Sequence, residues 1–158
     1  RGCQRPEVNL VGVEYARGYC HYAADRLRRA GLGNVRMVHD EAGHFVREWV
    51  AVASLQRVHI YFPDPWPKRR HHRRRLIQPA FVDLVRSRLC MGGQLLIVTD
   101  HLGYFEHIRR VMYHARGLAR VPLPRLTDRD GEVVGTNFER KYMQQSRPFY
   151  RLARLRFL

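Results

Sequence analysis

Short apolar runs that end on an acid alternate with amphipathic stretches along this chain, and no other feature restricts its fold as much. Residues 9–14 (NLVGVE), 35–39 (VRMVH), 57–62 (RVHIYF) and 94–99 (QLLIVT) have the length and apolar character of strands. Between and after them, residues 15–32, 43–53, 77–89 and 102–116 read as helices. The first repeats Tyr19, Ala23 and Leu27 at four-residue spacing, with Gly31 and Gly33 as stop signals. The third lines up Ile77, Phe81, Leu84, Val85 and Leu89, and Gly92-Gly93 is expected to turn the chain into the next strand. The fourth points Leu102, Phe105, Ile108, Met112 and Ala115 inward, with Gly117 behind it. A polar, proline-containing connection over 122–135 leads to residues 149–157, expected as an antiparallel closing strand. Strands alternating with helices predict α/β architecture with a mainly parallel sheet. A length of 158 residues suits one domain, 1–158.

In such sheets ligands bind beyond the carboxyl ends of the strands. Glu14, Asp40, Asp64 and Asp100 each fall at or just past a strand end, so four of the 14 acids are expected on one rim. The rest of the chain has the opposite sign, with 29 Lys+Arg and a net charge of +15. Lys68, Arg69, Arg70, His71, His72, Arg73, Arg74 and Arg75 are consecutive, and Arg140, Lys141, Arg147, Arg151, Arg154 and Arg156 gather near the C-terminal end. An excess of this size on a folded domain suits a polyanion, nucleic acid first, held through phosphates with release of counterions. A solvated face or a localisation signal would produce the same run. The acidic rim suits a different ligand, one with hydroxyls, amino groups or positive charge.

Composition removes other classes. With 45% hydrophobic residues the chain has material for a core and is not a disordered basic tail. No stretch approaches the roughly 20 apolar residues of a membrane span, and the start RGCQRPEVNL lacks a secretory apolar core. Cys3, Cys20 and Cys90 follow no ligand pattern, and His101, His107 and His114 form no i, i+4 pair, so no metal site is expected. A reduced, cytoplasmic protein is the simplest reading.

Pro63, Pro65 and Pro67 remove three backbone donors and hold their segment extended, displaying Asp64 and Trp66 beside the basic run. The fifteen residues FPDPWPKRRHHRRRL (62–76) resemble the signature of the tRNA (guanine-N7)-methyltransferases. Further matches follow in order: GVE at 12–14, TD at 99–100 and TNFE at 136–139. The resemblance implies a Rossmann-like fold and methyl transfer from S-adenosyl-L-methionine to N7 of a variable-loop guanine of tRNA. It carries the cofactor acids to Glu14 (ribose hydroxyls) and Asp40 (adenine), and the catalytic, cofactor-adjacent position to Asp64. It carries substrate contacts to Lys68, Asp100, Thr136, Asn137, Phe138 and Glu139, and RNA contacts to Arg70, His71, His72, Arg73, Arg74 and Arg75. Tertiary RNA shape would add to what the phosphate contacts read.

The residue types suit that chemistry. Guanine N7 carries a free lone pair, so no base is needed to remove a proton, and proximity supplies much of the rate. Charge moves from sulfur to the base, and a carboxylate facing the guanine edge opposes it while accepting from N1–H and the exocyclic amine. Asp64 and Asp100 are expected to hold and polarise the base. Blander roles stay open: Glu14 and Asp40 also suit helix caps, Asp64 a turn, and Trp66 either stacking or packing. A non-catalytic basic RNA-binding domain is the competing reading.

The chain also departs from the family. The glycine-rich turn expected to cradle the methionine part of the cofactor does not precede residue 9, and RGCQRP reads as the tail of the helix that follows that turn. The first strand and the glycine-rich loop are therefore expected to be missing, from the centre of the sheet between strands 9–14 and 57–62. Those strands would keep unpaired inner edges or pair with each other in a new register. These 158 residues alone are expected to bind S-adenosylmethionine weakly.

Overall fold

The run NLVGVE supplies β1 (Leu10–Glu14), which lies parallel to β2 (Val35–His39) with Leu10 opposite Val35 and Glu14 opposite His39. The computed structural model describes residues 5–124 and 137–158, without the side chains of Asn137, Phe138 and Tyr142. They fall into two compact units, Arg1–Val50 and Ala51–Leu158.

In the first unit α1 (Arg17–Arg29) packs on both strands and buries Cys20. Its end is a Schellman turn: Gly31 (φ +67°) donates to the Arg28 carbonyl and Leu32 to that of Leu27. Ala23 and Leu27 are half-buried as expected, but Tyr19 is 73% exposed. Cys20 takes the inward place, because Tyr19 lies one step around the helix. α2 (Ala42–Glu48) stops five residues short of the expected 53. Beyond it Trp49 and Val52 are exposed, and Ala53 turns left-handed at φ 55°.

The second unit carries β3 (Leu55–Tyr61), α3 (Pro79–Arg88), β4 (Leu89–Thr99), α4 (Leu102–His114), β5 (Leu118–Val121), α5 (Asn137–Gln144) and β6 (Tyr150–Arg156). The sheet order is β3-β4-β6-β5; β3 is parallel to β4, and β6 runs antiparallel to both its neighbours. The closing strand is therefore antiparallel, as its position predicted. Each of the strands β1 and β3 has one hydrogen-bonded neighbour among the described residues, β2 and β4 respectively. No helix among the described residues is long and apolar enough to cross a membrane.

β4 is the axis of this unit. Leu95, Leu96, Ile97, Val98 and Thr99 are all fully buried, so both faces are covered. Leu96 and Val98 meet Ala153 with Tyr61, Phe62 and Phe149 around them. The alternate residues face α3 and α4, which contribute buried Val82, Val85, Tyr104, Ile108 and Met112. Each such apolar side chain contributes about 1.5–3 kcal/mol. The inward face of α4 holds at Ile108 and Met112, but its first turn differs from expectation, with Tyr104 inward and Leu102 51% exposed. The expected turn at Gly92-Gly93 is present within β4: Gly92 is left-handed at φ +75°, and the register shifts so that Leu55 pairs with Leu89 but Arg57 with Gln94. Glycine is needed there because a Cβ on Gly93 would lie 2.8 Å from the Cys90 carbonyl oxygen and 3.0 Å from that of Leu55.

Candidate functional site

The first unit sets Glu14 and Asp40 at the carboxyl ends of neighbouring parallel strands, where the Asp40 amide donates to the Glu14 carbonyl at 3.3 Å. One Glu14 carboxylate oxygen accepts from the Ala16 amide at 2.8 Å, at the start of α1. The capping alternative thus holds in part for Glu14. It does not hold for Asp40, because Glu41 is the N-cap of α2 and accepts from the Gly43 and His44 amides. Asp40 instead accepts from the Glu41 amide at 2.7 Å and from His44 Nδ1 at 2.9 Å. That hydrogen bond holds the Asp40 carboxyl below the ordinary carboxylate range and raises His44.

The second unit sets Asp64 and Asp100 beyond the carboxyl ends of β3 and β4, which are also parallel neighbours. The Phe62 amide donates to the Val98 carbonyl at 2.8 Å, so the two acids leave the sheet at the same end. Asp64 is exposed, and its carboxylate has no partner among the described residues. Asp100 is mostly buried and lies 3.7 Å from the Arg147 guanidinium. The structure therefore sets the predicted acids at or beyond the carboxyl ends of two parallel strand pairs, one in each unit.

The proline loop is held against its own strain. Phe62 (φ 52°) and Trp66 (φ 43°) flank Asp64 in the left-handed region, which costs a side-chain-bearing residue about 1–2 kcal/mol each. Arg75 counters this from below: it is 4% exposed, its Nε donates to the Pro65 carbonyl at 2.8 Å, and its guanidinium covers the Tyr104 ring at 4.9 Å. Burial lowers the Arg75 pKa. Arg74 lies over Trp66 at 5.1 Å while His71 meets the same ring edge-on, so Trp66 packs within the loop. One step deeper, α4 satisfies both backbone groups of Ile77. The Ile77 amide donates to the Tyr104 hydroxyl at 3.1 Å, and His107 Nε2 donates to the Ile77 carbonyl at 2.7 Å. Burial pushes the Tyr104 phenol up and His107 down, so His107 serves as a neutral donor.

The basic run forms a 3-10 turn, Arg69–Arg74, with Lys68 at its start. Lys68, Arg70, Arg73 and Arg74 are exposed and His71 and His72 half-buried, while Arg75 is removed from solvent by the contacts above. Glu139 is fully buried at the start of α5. Thr136 lies outside the described residues, as do the side chains of Asn137 and Phe138. No cluster of metal-ligating side chains occurs among the described residues. Sequence reading missed Tyr104, His107 and His44; their signal is tertiary, a partner on another segment or across a helix turn.

A family model described as "putative methyltransferase" matches residues 2–152. A tRNA (guanine-N(7)-)-methyltransferase of Pseudomonas aeruginosa is 41% identical over 137 residues, 86% of this chain and 56% of that protein. One of Nocardia farcinica is 45% identical over 106 residues, 67% of this chain and 39% of that protein. The chain thus spans about half the length of the curated relatives it matches. Among solved structures, a precorrin-6y C5,15-methyltransferase of Geobacter metallireducens superposes with a TM-score of 0.61 at 14% identity, covering 96% of this chain and 70% of that one. An rRNA methylase of Streptococcus thermophilus gives 0.59 at 11% identity, covering 95% and 74%. At those identities the likeness is one of fold, the Rossmann-like α/β fold of methyltransferases. Acids at parallel strand ends, a braced proline loop and a family match over 2–152 lead to one assignment: this chain belongs to that methyltransferase family and is similar to tRNA (guanine-N(7)-)-methyltransferases.

Proposed function

We propose that the protein transfers a methyl group from S-adenosyl-L-methionine to N7 of a variable-loop guanine of tRNA, as one cytoplasmic methyltransferase domain. The supporting observation is the Asp64 carboxylate, left without a partner among the described residues on a loop held by the buried Arg75. A carboxylate kept free at some cost in backbone strain suits a ligand that brings donors or positive charge.

The donor set fits the cofactor. Glu14 keeps its second carboxylate oxygen for ribose hydroxyls, and Asp40 retains acceptor capacity for the adenine amine beyond its bonds to Glu41 and His44. S-adenosylmethionine, when bound, supplies an electrophilic sulfonium methyl. Asp64 and Asp100 then accept from guanine N1–H and the exocyclic amine, and their charge favours a base that becomes cationic. Such fixed electrostatics is worth about 3 kcal/mol in comparable sites. Adenine would present an acceptor where guanine has N1–H and leave a carboxylate unpaired, so the pair also selects guanine. The family resemblance carries Thr136, Asn137 and Phe138 to the substrate side, whereas Glu139, fully buried, is out of a substrate's reach in this structure. Lys68 and Arg70 to Arg74 meet phosphates, whereas Arg75 holds the loop.

The test is transfer of radiolabelled methyl from S-adenosylmethionine to unmodified tRNA, followed by nucleoside analysis. Label in 7-methylguanosine is the expected result; label in another nucleoside, or none, overturns the reading.

A further inference from the structure

Away from the proline loop, the second unit has a groove of about 1440 Å³ between α4 and the strands β5 and β6. Its floor is apolar, with Met112 and Leu118 buried. Its walls are cationic: Arg109 and Arg110 from α4, and Arg120 and Arg154 from the strand face turned towards α4, line it against the single acid Glu106. None of the four forms an ion pair among the described residues. Arg154 donates to the adjacent Ala153 carbonyl.

Arg120 and Arg154 stand directly opposite each other across the β5–β6 pair. Like charges in that position destabilise an antiparallel ladder unless an anion lies between or above them. Burial and the neighbouring Arg120 charge both lower the Arg154 pKa, as expected for a guanidinium short of a counter-ion. Tyr113, 84% exposed, stands on the rim, its ring set perpendicular to that of His114 at 5.2 Å. The groove begins at Phe105, stacked on Tyr150 at 5.3 Å, one turn into α4 beyond Asp100. From there to Tyr113 the helix advances about 12 Å.

The geometry points to a second RNA-backbone site in this groove, in which Arg109, Arg120 and Arg154 take the phosphates of a strand running along α4 and Tyr113 stacks on one of its bases. Unpaired guanidinium groups with an exposed aromatic ring suit a sugar-phosphate backbone, the guanidinium plane matching phosphate and the ring accepting any base. This rests on the reading of tRNA as substrate, and it extends the RNA footprint beyond the Lys68–Arg74 turn.

The test compares two double variants on unmodified tRNA over a range of salt concentrations, Arg109→Gln/Arg120→Gln in the groove and Lys68→Gln/Arg73→Gln on the turn. The groove variant is expected to bind about tenfold more weakly, with a salt slope shallower by about 1 per arginine. Its melting temperature should be unchanged or higher, since a repulsive pair has been relieved. Tyr113→Ala should weaken a single-stranded oligonucleotide more than a duplex. Unchanged affinity and slope in the groove variant, with loss in the turn variant, overturns this site and leaves the substrate reading intact. If neither variant loses affinity, both fall. Polyglutamate competing as well as tRNA at equal charge would assign the groove to an acidic protein and also overturn it.

Discussion

In the first unit, β1, β2 and their helices bury Cys20, Gly43 and Val46 among the described residues, while in the second β4 alone is buried on both faces from Leu95 to Thr99. The acids follow the same division. Glu14 and Asp40 are fixed by bonds to groups within four residues of them. Asp64 has no such bond and is fixed indirectly, through Arg75, Tyr104 and the core beneath them. A shallow unit holds its site residues locally; a deep one can hold a strained loop and leave a carboxylate free. That division is what the predictions below test.

The largest difference should appear in the cores. Leu96→Ala should cost about 2–5 kcal/mol in chemical denaturation. Val46→Ala should cost about 1–2 kcal/mol, and amides of β4 should exchange more slowly than those of β1 and β2. Equal costs and equal protection would break the contrast between the units. Tyr104→Phe sharpens it: removing one hydroxyl strands the Ile77 amide, with an expected loss of about 1–3 kcal/mol and faster proteolysis within residues 62–75.

Much of this was legible in the sequence because local patterns carry it. The alternation of strand and helix placed the four parallel strand ends, and with them Glu14, Asp40, Asp64 and Asp100. What escaped depends on contacts at long range. β5 is four residues, LARV, too short to show a period, and it forms by pairing with β6. Six cations and two histidines in sequence argue against any helical turn, yet the 3-10 turn forms because Gln78 binds the His72 carbonyl and Arg75 anchors its end. Tyr19 was misplaced by one position and Leu102 by two, the ordinary ambiguity of an amphipathic helix whose stripe is flanked by other apolar residues. Arg75 looked like its neighbours because burial leaves no mark in a run of identical charges.

The smallest expected effect is the pH response of the first unit's acid. His44 is raised by Asp40, so its contribution is complete below the ordinary histidine value of 6.5 and is lost as pH rises through the raised value. Asp40 is lowered by His44, so its share is present above 3.8 and is lost as pH falls through the depressed value. NMR titration should place His44 above 6.5, and Asp40→Asn should return it towards 6.5. A His44 midpoint unaffected by the substitution would show that the local bond does not fix Asp40.

The central claim concerns Asp64: a carboxylate held free to favour a base that gains positive charge. Single-turnover methyl transfer by Asp64→Asn at saturating tRNA and cofactor tests it most directly. The account predicts a rate about 100-fold lower, equivalent to about 3 kcal/mol, with tRNA affinity little changed. A rate equal to that of the native protein would contradict it.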